Sequence, residues 1–311
     1  MARLTVLCGG LGGSRLVDAL ARAAGPESVT AVGNVGDDLE VHGLHVSPDL
    51  DTVLYTLAGL LDEERGWGVR DETYGALATA ERLGAETWFT LGDRDLGLHL
   101  VRTELLRAGE PLSAVFARLA ERLGVGVRLL PVSDDPVRTM LTTPAGELDF
   151  QTWFVRRRHR DDVLAVRYEG AASARPAPGV VEAIEDADAV FLAPSNPFVS
   201  LGPILAVPGV AEAVAGRAGP VVAVSPLVAG KALRGPLARM LETLGHEPSA
   251  LGVARLYEGL ASAFVLDPTD AALAPAVRAL GLEAVVTPAV IVDPAVRGDV
   301  GRAILEATVP A

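Results

Sequence analysis

The sequence predicts an α/β protein: a Rossmann-like, mostly parallel sheet with helices on both faces and an inserted α+β subdomain. Three observations predict it. Short apolar runs alternate with helical periodicities along most of the 311 residues, the pattern of parallel strands joined by crossover helices. The first run opens directly into Gly9-Gly10-Leu11-Gly12-Gly13-Ser14, a strand-to-helix turn rich in glycine. Between about residues 136 and 170 the texture changes to that of a hairpin.

Taken in order, strands are expected at Leu4–Cys8, 29–32, 127–130, Ala189–Leu192, Val221–Val224, Ala263–Leu266 and 284–286, each a brief apolar run rich in Val, Leu and Ala. Helical periodicity is clearest over 14–24, 48–61, 96–108, 111–123, 233–244 and 300–307. The helix at 48 has the strongest start, with Ser47 as N-cap, Pro48 in the first helical position and acids in the first turn. Residues 138–142 and 147–155 flank Thr-Pro-Ala-Gly and read as the hairpin. These elements divide the chain into a nucleotide-binding core, 1–61 with 176–311, and an inserted, mainly helical region with a hairpin at 62–175. The segment 171–178, where Pro and Ala alternate, is the expected linker.

Composition narrows the function. Apolar residues make up 50% and charged residues 22%, a globular balance. The formal charge of −13 would repel a phosphate backbone, so no nucleic-acid partner is expected. Cys8 is the one cysteine, which rules out a disulfide within the chain and fits a reducing, cytoplasmic setting. It reads as an inert core thiol. The N-terminal apolar run is too short for a signal peptide, and no stretch approaches the ~18 apolar residues of a membrane span.

Five places carry candidate chemistry. Gly10, Gly12 and Gly13 would let backbone N–H groups at a helix N-terminus approach an anion. A dinucleotide fingerprint would need glycine where the chain has Arg15, and no Lys-Ser/Thr pair completes a P-loop; a plain tight turn is the alternative. Asp37 and Asp38, after the second strand, would sit beside this loop and suit a divalent cation, or else close an Asx-type turn. Asp49 is explained by capping, whereas Asp51 lies at the helix mouth, where it either meets a ligand or serves the helix start. Asp93 and Arg94 open another helix; the guanidinium suits a phosphate or a ring, and a helix-start ion pair would explain the same residues. Late turns containing Ser195 with Asn196, and Lys231, the chain's one lysine, follow predicted strands and face the same crevice. The His residues show no metal-ligand spacing.

Together, Gly-Gly-Leu-Gly-Gly-Ser-Arg-Leu, Asn-Val-Gly-Asp-Asp, Ser-Pro-Asp-Leu-Asp-Thr-Val-Leu-Tyr, Arg-Gly-Trp-Gly, Leu-Gly-Asp-Arg-Asp-Leu and Pro-Ser-Asn-Pro resemble, almost end to end, the 2-phospho-L-lactate transferases and the actinobacterial phosphoenolpyruvyl transferases (CofD and FbiA). The resemblance implies a Mg²⁺-dependent transferase of coenzyme F-420 biosynthesis. Such an enzyme joins a guanosine diphosphate-linked phosphoenolpyruvyl or 2-phospholactyl group to the ribityl hydroxyl of the deazaflavin Fo, with release of GMP. Carried over by motif, Asp51, Arg94 and Asp93 fall at the Fo site and Asp37 and Asp51 at the metal. Gly10, Gly12, Gly13, Ser195, Asn196 and Lys231 fall at the guanosine diphosphate. Asp51 or Asp37 could accept the hydroxyl proton, and sequence does not separate base from ligand. Family members suggest a homodimer. The YvcK-type nucleotide-sugar-binding regulators share the glycine-rich opening and are the alternative, but they lack the Ser-Pro-Asp-Leu-Asp and Gly-Asp-Arg-Asp runs.

Overall fold

The computed structural model describes residues 2–232 and 235–309. In chain order the strands are β1 (Leu4–Cys8), β2 (Val29–Gly33), β3 (Leu39–Val41), β4 (Leu44–Val46), β5 (Arg128–Pro131), β6 (Arg138–Thr143) and β7 (Gly146–Asp149). There follow β8 (Ala165–Glu169), β9 (Ala189–Leu192), β10 (Val221–Val224), β11 (Leu227–Val228), β12 (Lys231–Ala232), β13 (Ala263–Leu266) and β14 (Glu283–Val286). The helices of the first half are α1 (Gly10–Ala24), α2 (Pro48–Leu57), α3 (Gly75–Arg82), α4 (Asp93–Arg107) and α5 (Leu112–Arg122). Those of the second half are α6 (Val180–Glu185), α7 (Gly202–Leu205), α8 (Val210–Gly216), α9 (Leu237–Thr243), α10 (Ala250–Leu256), α11 (Ala274–Arg278) and α12 (Arg297–Thr308).

Seven strands form one parallel sheet in the order β14-β13-β10-β9-β1-β2-β5. Every residue of β1, β9, β10 and β13 is buried, as continuous apolar runs must be when helices cover both faces. Strand order reverses between β1 and its neighbour β9, where Leu4 stands opposite Val29 on one side and Ala189 on the other. A sheet wound outward in both directions opens a crevice at the carboxyl ends of those two strands. Cys8 ends β1 at the floor of that crevice, fully buried, and burial with the nearby Asp49 pushes its thiol pKa up.

All seven expected strands form, with one-residue shifts at β2, β5 and β14. The inserted region is divided differently. β5 lies inside 62–175 yet pairs with β2 as an edge strand of the main sheet, so that span is not one insertion. Two excursions replace it: one between β2 and β5, and one between β5 and β9 holding the three-stranded antiparallel sheet β7-β6-β8. The second hairpin strand stops at Asp149 rather than 155. The chain then winds into a helical turn that buries Trp153 in a small core with Leu141, Val163, Val199 and Met240. The expected linker 171–178 is packed: Ala171, Ala174 and Ala177 join the main core and Pro176 bridges to Ser133. α2 ends at Leu57 rather than 61, because Gly59 adopts a φ of +67° that stops the helix. The helix expected over 233–244 begins at residues outside the described ones, and α9 covers Leu237–Thr243. Among the described residues no single helix is long and apolar enough to cross a membrane.

Candidate active site

A cavity of about 520 Å³ opens over the carboxyl ends of the central strands. Its floor is built by the turns after β1 (Gly9, Gly10, Leu11 and Gly12), β9 (Pro194, Ser195, Asn196) and β10 (Ser225, Pro226). The excursions supply aromatic walls: Trp67 and Phe89 from the first, Phe150 and Phe154 from the second. Ala289, Ile291 and Val292, following β14, close another side. Polar groups gathered at a mostly apolar concavity define a small-molecule site.

The glycine loop is shaped by packing as well as by any ligand. Gly10 takes a φ of +62°, the one position in the loop where the backbone itself favours glycine. At Gly12 a Cβ would collide with the Pro194 carbonyl oxygen, and at Gly13 it would stand 2.9 Å from the Cys8 Cβ. Ser195 staples the two strand ends: its Oγ donates to the Gly9 carbonyl at 2.8 Å and accepts from the Gly9 N–H at 3.3 Å. Asn196 accepts from the Phe198 and Val199 N–H groups at 2.9 and 3.4 Å. Lys231 is exposed on the β11–β12 hairpin and does not line the cavity.

The carboxylates sort differently from the sequence expectation. Side chains two apart on a helix point ~200° away from each other at 3.6 residues per turn. Only one of Asp49 and Asp51 can therefore face the crevice, and it is Asp49. Its Oδ2 accepts from Asn34 Nδ2 at 2.9 Å, and Asp49 lies against the glycine loop. The same Asn34 amide reaches Asp37 Oδ1 at 3.5 Å, while Gln151 Nε2 donates to Asp37 Oδ2 at 3.1 Å. Burial raises the Asp49 pKa to about 6 against the hydrogen bonds that favour its charge. Burial, then the charges of Asp49 and Asp38, pushes Asp37 well up. Asp38 turns aside to His45 Nε2 at 3.1 Å and Ser47 Oγ at 2.9 Å, and burial raises its pKa too.

Asp51 lies behind this layer. Its two oxygens are held by the fully buried guanidinium of Arg102, through Nη2 to Oδ1 and Nη1 to Oδ2, and the Ser47 N–H donates to Oδ2 at 3.3 Å. Arg102 also reaches the His45 carbonyl and lies over the Phe116 ring. The pair expected to hold a metal, Asp37 with Asp51, is thus not what the geometry presents; Asp37 and Asp49 share the cavity instead. Asp93 caps α3, accepting from the Gly75 and Ala76 N–H groups at 2.9 Å and from Thr73 Oγ1 at 2.6 Å. Arg94 is exposed beyond the cavity lining, four residues after Thr90 of that lining, with Nη1 donating to the Arg70 carbonyl at 3.2 Å.

Sequence reading missed Arg15, Asp49 and Gln151 as cavity groups, and Asn34 as the buried amide that joins Asp37 to Asp49. Arg15 stood in the sequence only as a departure from the dinucleotide fingerprint. The two-residue helical offset was a usable signal for Asp49. Gln151 had none, since a tertiary excursion brings it in. Arg15 pairs with Glu63 at 2.9 Å, and Glu63 is bound as well by the buried Arg297 at 2.7 Å. Partial burial of Glu63 works against its charge, but the two guanidiniums hold its pKa below the usual value.

A doubly wound sheet with a glycine loop, paired acids and aromatic walls at its switch point is the setting in which α/β proteins hold small-molecule ligands. The family model for 2-phospho-L-lactate transferase CofD matches residues 4–283. A phosphoenolpyruvate transferase of Streptomyces griseus is 44% identical over 310 residues, 98% of each chain. One from Mycolicibacterium smegmatis is 45% identical over 281 residues, 85% of this chain and 86% of that one. A UPF0052-family protein of Bacillus halodurans shares the fold at 16% identity, with a TM-score of 0.58 over 92% of both chains. The chain belongs to the CofD family, transferases of coenzyme F-420 biosynthesis.

Proposed function

We propose that the protein transfers a phosphoenolpyruvyl group from its guanosine diphosphate-linked donor to the ribityl hydroxyl of Fo, releasing GMP. The observation that carries this reading is the near full-length similarity to phosphoenolpyruvate transferases, joined to a cavity with anion-suited and aromatic walls. The hydroxyl oxygen attacks the phosphorus that bears the enolpyruvyl group. The bond from that phosphorus to the oxygen it shares with GMP breaks, and GMP carries that oxygen away. Asp49, with a pKa of about 6, is suited to take the hydroxyl proton near neutral pH.

The residues fit Mg²⁺. Asp37 and Asp49 are buried acids whose charges oppose one another, and Mg²⁺ favours one or two carboxylates together with substrate phosphates. Asp37, with Asp49 beside it, would hold the ion, which would neutralise charge on the donor's phosphates. The glycine loop, Ser195 and Asn196 lie on the donor side. The deazaflavin ring belongs between the aromatic walls, with Arg94 at the rim where the segment carrying Phe89 and Thr90 leads into α4. The reading extends to a homodimer in the cytoplasm, which light scattering and fractionation test.

Fo is incubated with the guanylylated forms of phosphoenolpyruvate and of 2-phospholactate, and products are weighed by mass spectrometry. Fo-dependent GMP release with the phosphoenolpyruvyl product is expected. Preference for the phospholactyl donor would change the transferred group. Nucleotide-sugar binding without turnover would replace the transferase by a regulator.

A further inference from the structure

The cavity has a charge problem. Its donor, under the function proposed above, carries two phosphates and a carboxylate, in a chain whose formal charge is −13. The acids Asp37 and Asp49 line the same space. Lys231 and Arg94, the cations that sequence placed at the ligands, lie outside the lining. Among the described residues one basic side chain does line it: Arg15.

Arg15 sits on α1 beyond the glycine loop, 5% exposed, and its guanidinium is fixed from behind. Nη2 donates to Glu63 at 2.9 Å. Glu63 is clamped in turn by Arg297, at 2.7 Å to each of its oxygens. Arg297 also pairs with Asp18 of α1 at 3.1 Å and donates to the carbonyls of Ile291 and Val292, two residues of the cavity wall. Glu63, shared between the two guanidiniums, and Asp18, behind Arg297, hold Arg15 still. The Arg15–Glu63–Arg297 chain joins three walls: α1, the loop that carries Trp67, and the segment after β14.

We propose that Arg15 is the anchor for the anionic part of the donor, with Glu63 and Arg297 as the residues that position it. A planar, pre-oriented guanidinium at a mostly apolar site is suited to charge-assisted hydrogen bonding with a phosphate or a carboxylate. Removing one such contact weakens binding by about 10- to 100-fold. The inference rests on the proposed donor, so its test reads binding as well as turnover.

Arg15→Gln and Arg15→Lys are made in the full chain, and three quantities are measured: the Kd for GDP, the Kd for guanylylated phosphoenolpyruvate, and the KM for Fo. Arg15→Gln is expected to weaken the complete donor at least ~10-fold, with Arg15→Lys recovering part of it and the Fo KM staying within twofold. If GDP weakens equally, the contact is the diphosphate; if only the complete donor weakens, it is the carboxylate. Donor binding within twofold of wild type in Arg15→Gln, or a change confined to Fo, would overturn the proposal. Because the Kd values for GDP and for the complete donor need no turnover, together they decide the role of Arg15 even if wild-type protein fails to release GMP with Fo. That failure would count against the proposed reaction alone.

Discussion

Replacing Asp51 by Asn tests whether this carboxylate acts on substrate or holds the scaffold. The side chain is 6% exposed and faces a guanidinium that is wholly buried. Asn keeps the shape but donates through one arm, so Arg102 loses its counter-charge and one of two acceptors. Breaking a buried ion pair from one side typically costs ~3–5 kcal/mol, because the other charge stays buried and uncompensated. For a protein of 311 residues that is a fall in Tm of roughly 5–8 °C. Arg102 also holds the His45 carbonyl, and the Ser47 N–H binds Asp51, so the mouth of α2 that presents Asp49 should loosen. Transfer is then lost along with stability. Thermal melts of Asp51→Asn, Arg102→Met and the double variant form a cycle, in which the double variant should melt above the sum of the single losses. A Tm within ~2 °C of wild type together with abolished transfer would refute the reasoning and return Asp51 to direct chemistry.

Asp49→Asn should raise the Tm of the ligand-free protein at pH 7.5 and leave it unchanged near pH 4. The folded pKa of about 6 lies above the unfolded value of 3.8, so the native state binds the extra proton and loses stability as pH rises through that window. The difference is on the order of 2–3 kcal/mol; equal melting curves across pH would remove the buried charge from consideration. With Asp49 as base, kcat/KM in the wild type should climb as pH passes about 6, and a flat profile between pH 5 and 7.5 argues for another base. Gly12→Ala should destabilise even the ligand-free protein by ~1–3 kcal/mol, because its Cβ meets the Pro194 carbonyl. A melt unchanged from wild type would mean the turn can shift. Arg94→Ala should raise the KM for Fo more than that for the donor; equal change in both moves Arg94 away from the acceptor.

Local rules made the sheet legible. β1, β9, β10 and β13 are apolar at every residue or nearly so, which only a doubly covered strand tolerates, and their boundaries follow from that. The carboxyl-end rule then put the glycine loop, Asp37 and Ser195 around one crevice. The misreadings come from long-range partners. Nothing adjacent to Asp51 announces Arg102, fifty-one positions on. Asp93 resembles a ligand because its true partners, the N–H groups of α3, lie about twenty residues upstream. Residues 171–178 look like a linker because proline and alanine are read by composition, whereas those alanines are small enough to pack flat on the main core. β8 and α3 lack a strong apolar stripe and show no signal above their surroundings.

Cys8 gives the molecule a built-in clock. The chain's one thiol is sealed beneath the glycine loop, with its pKa raised, so a thiol reagent in solution meets neither a thiolate nor an open path. Labelling must wait for the carboxyl end of β1 to open, and its rate therefore counts local openings of the sheet beneath the cavity. Any ligand that bridges the Gly9 and Ser195 turns should slow that count, whether or not a reaction follows.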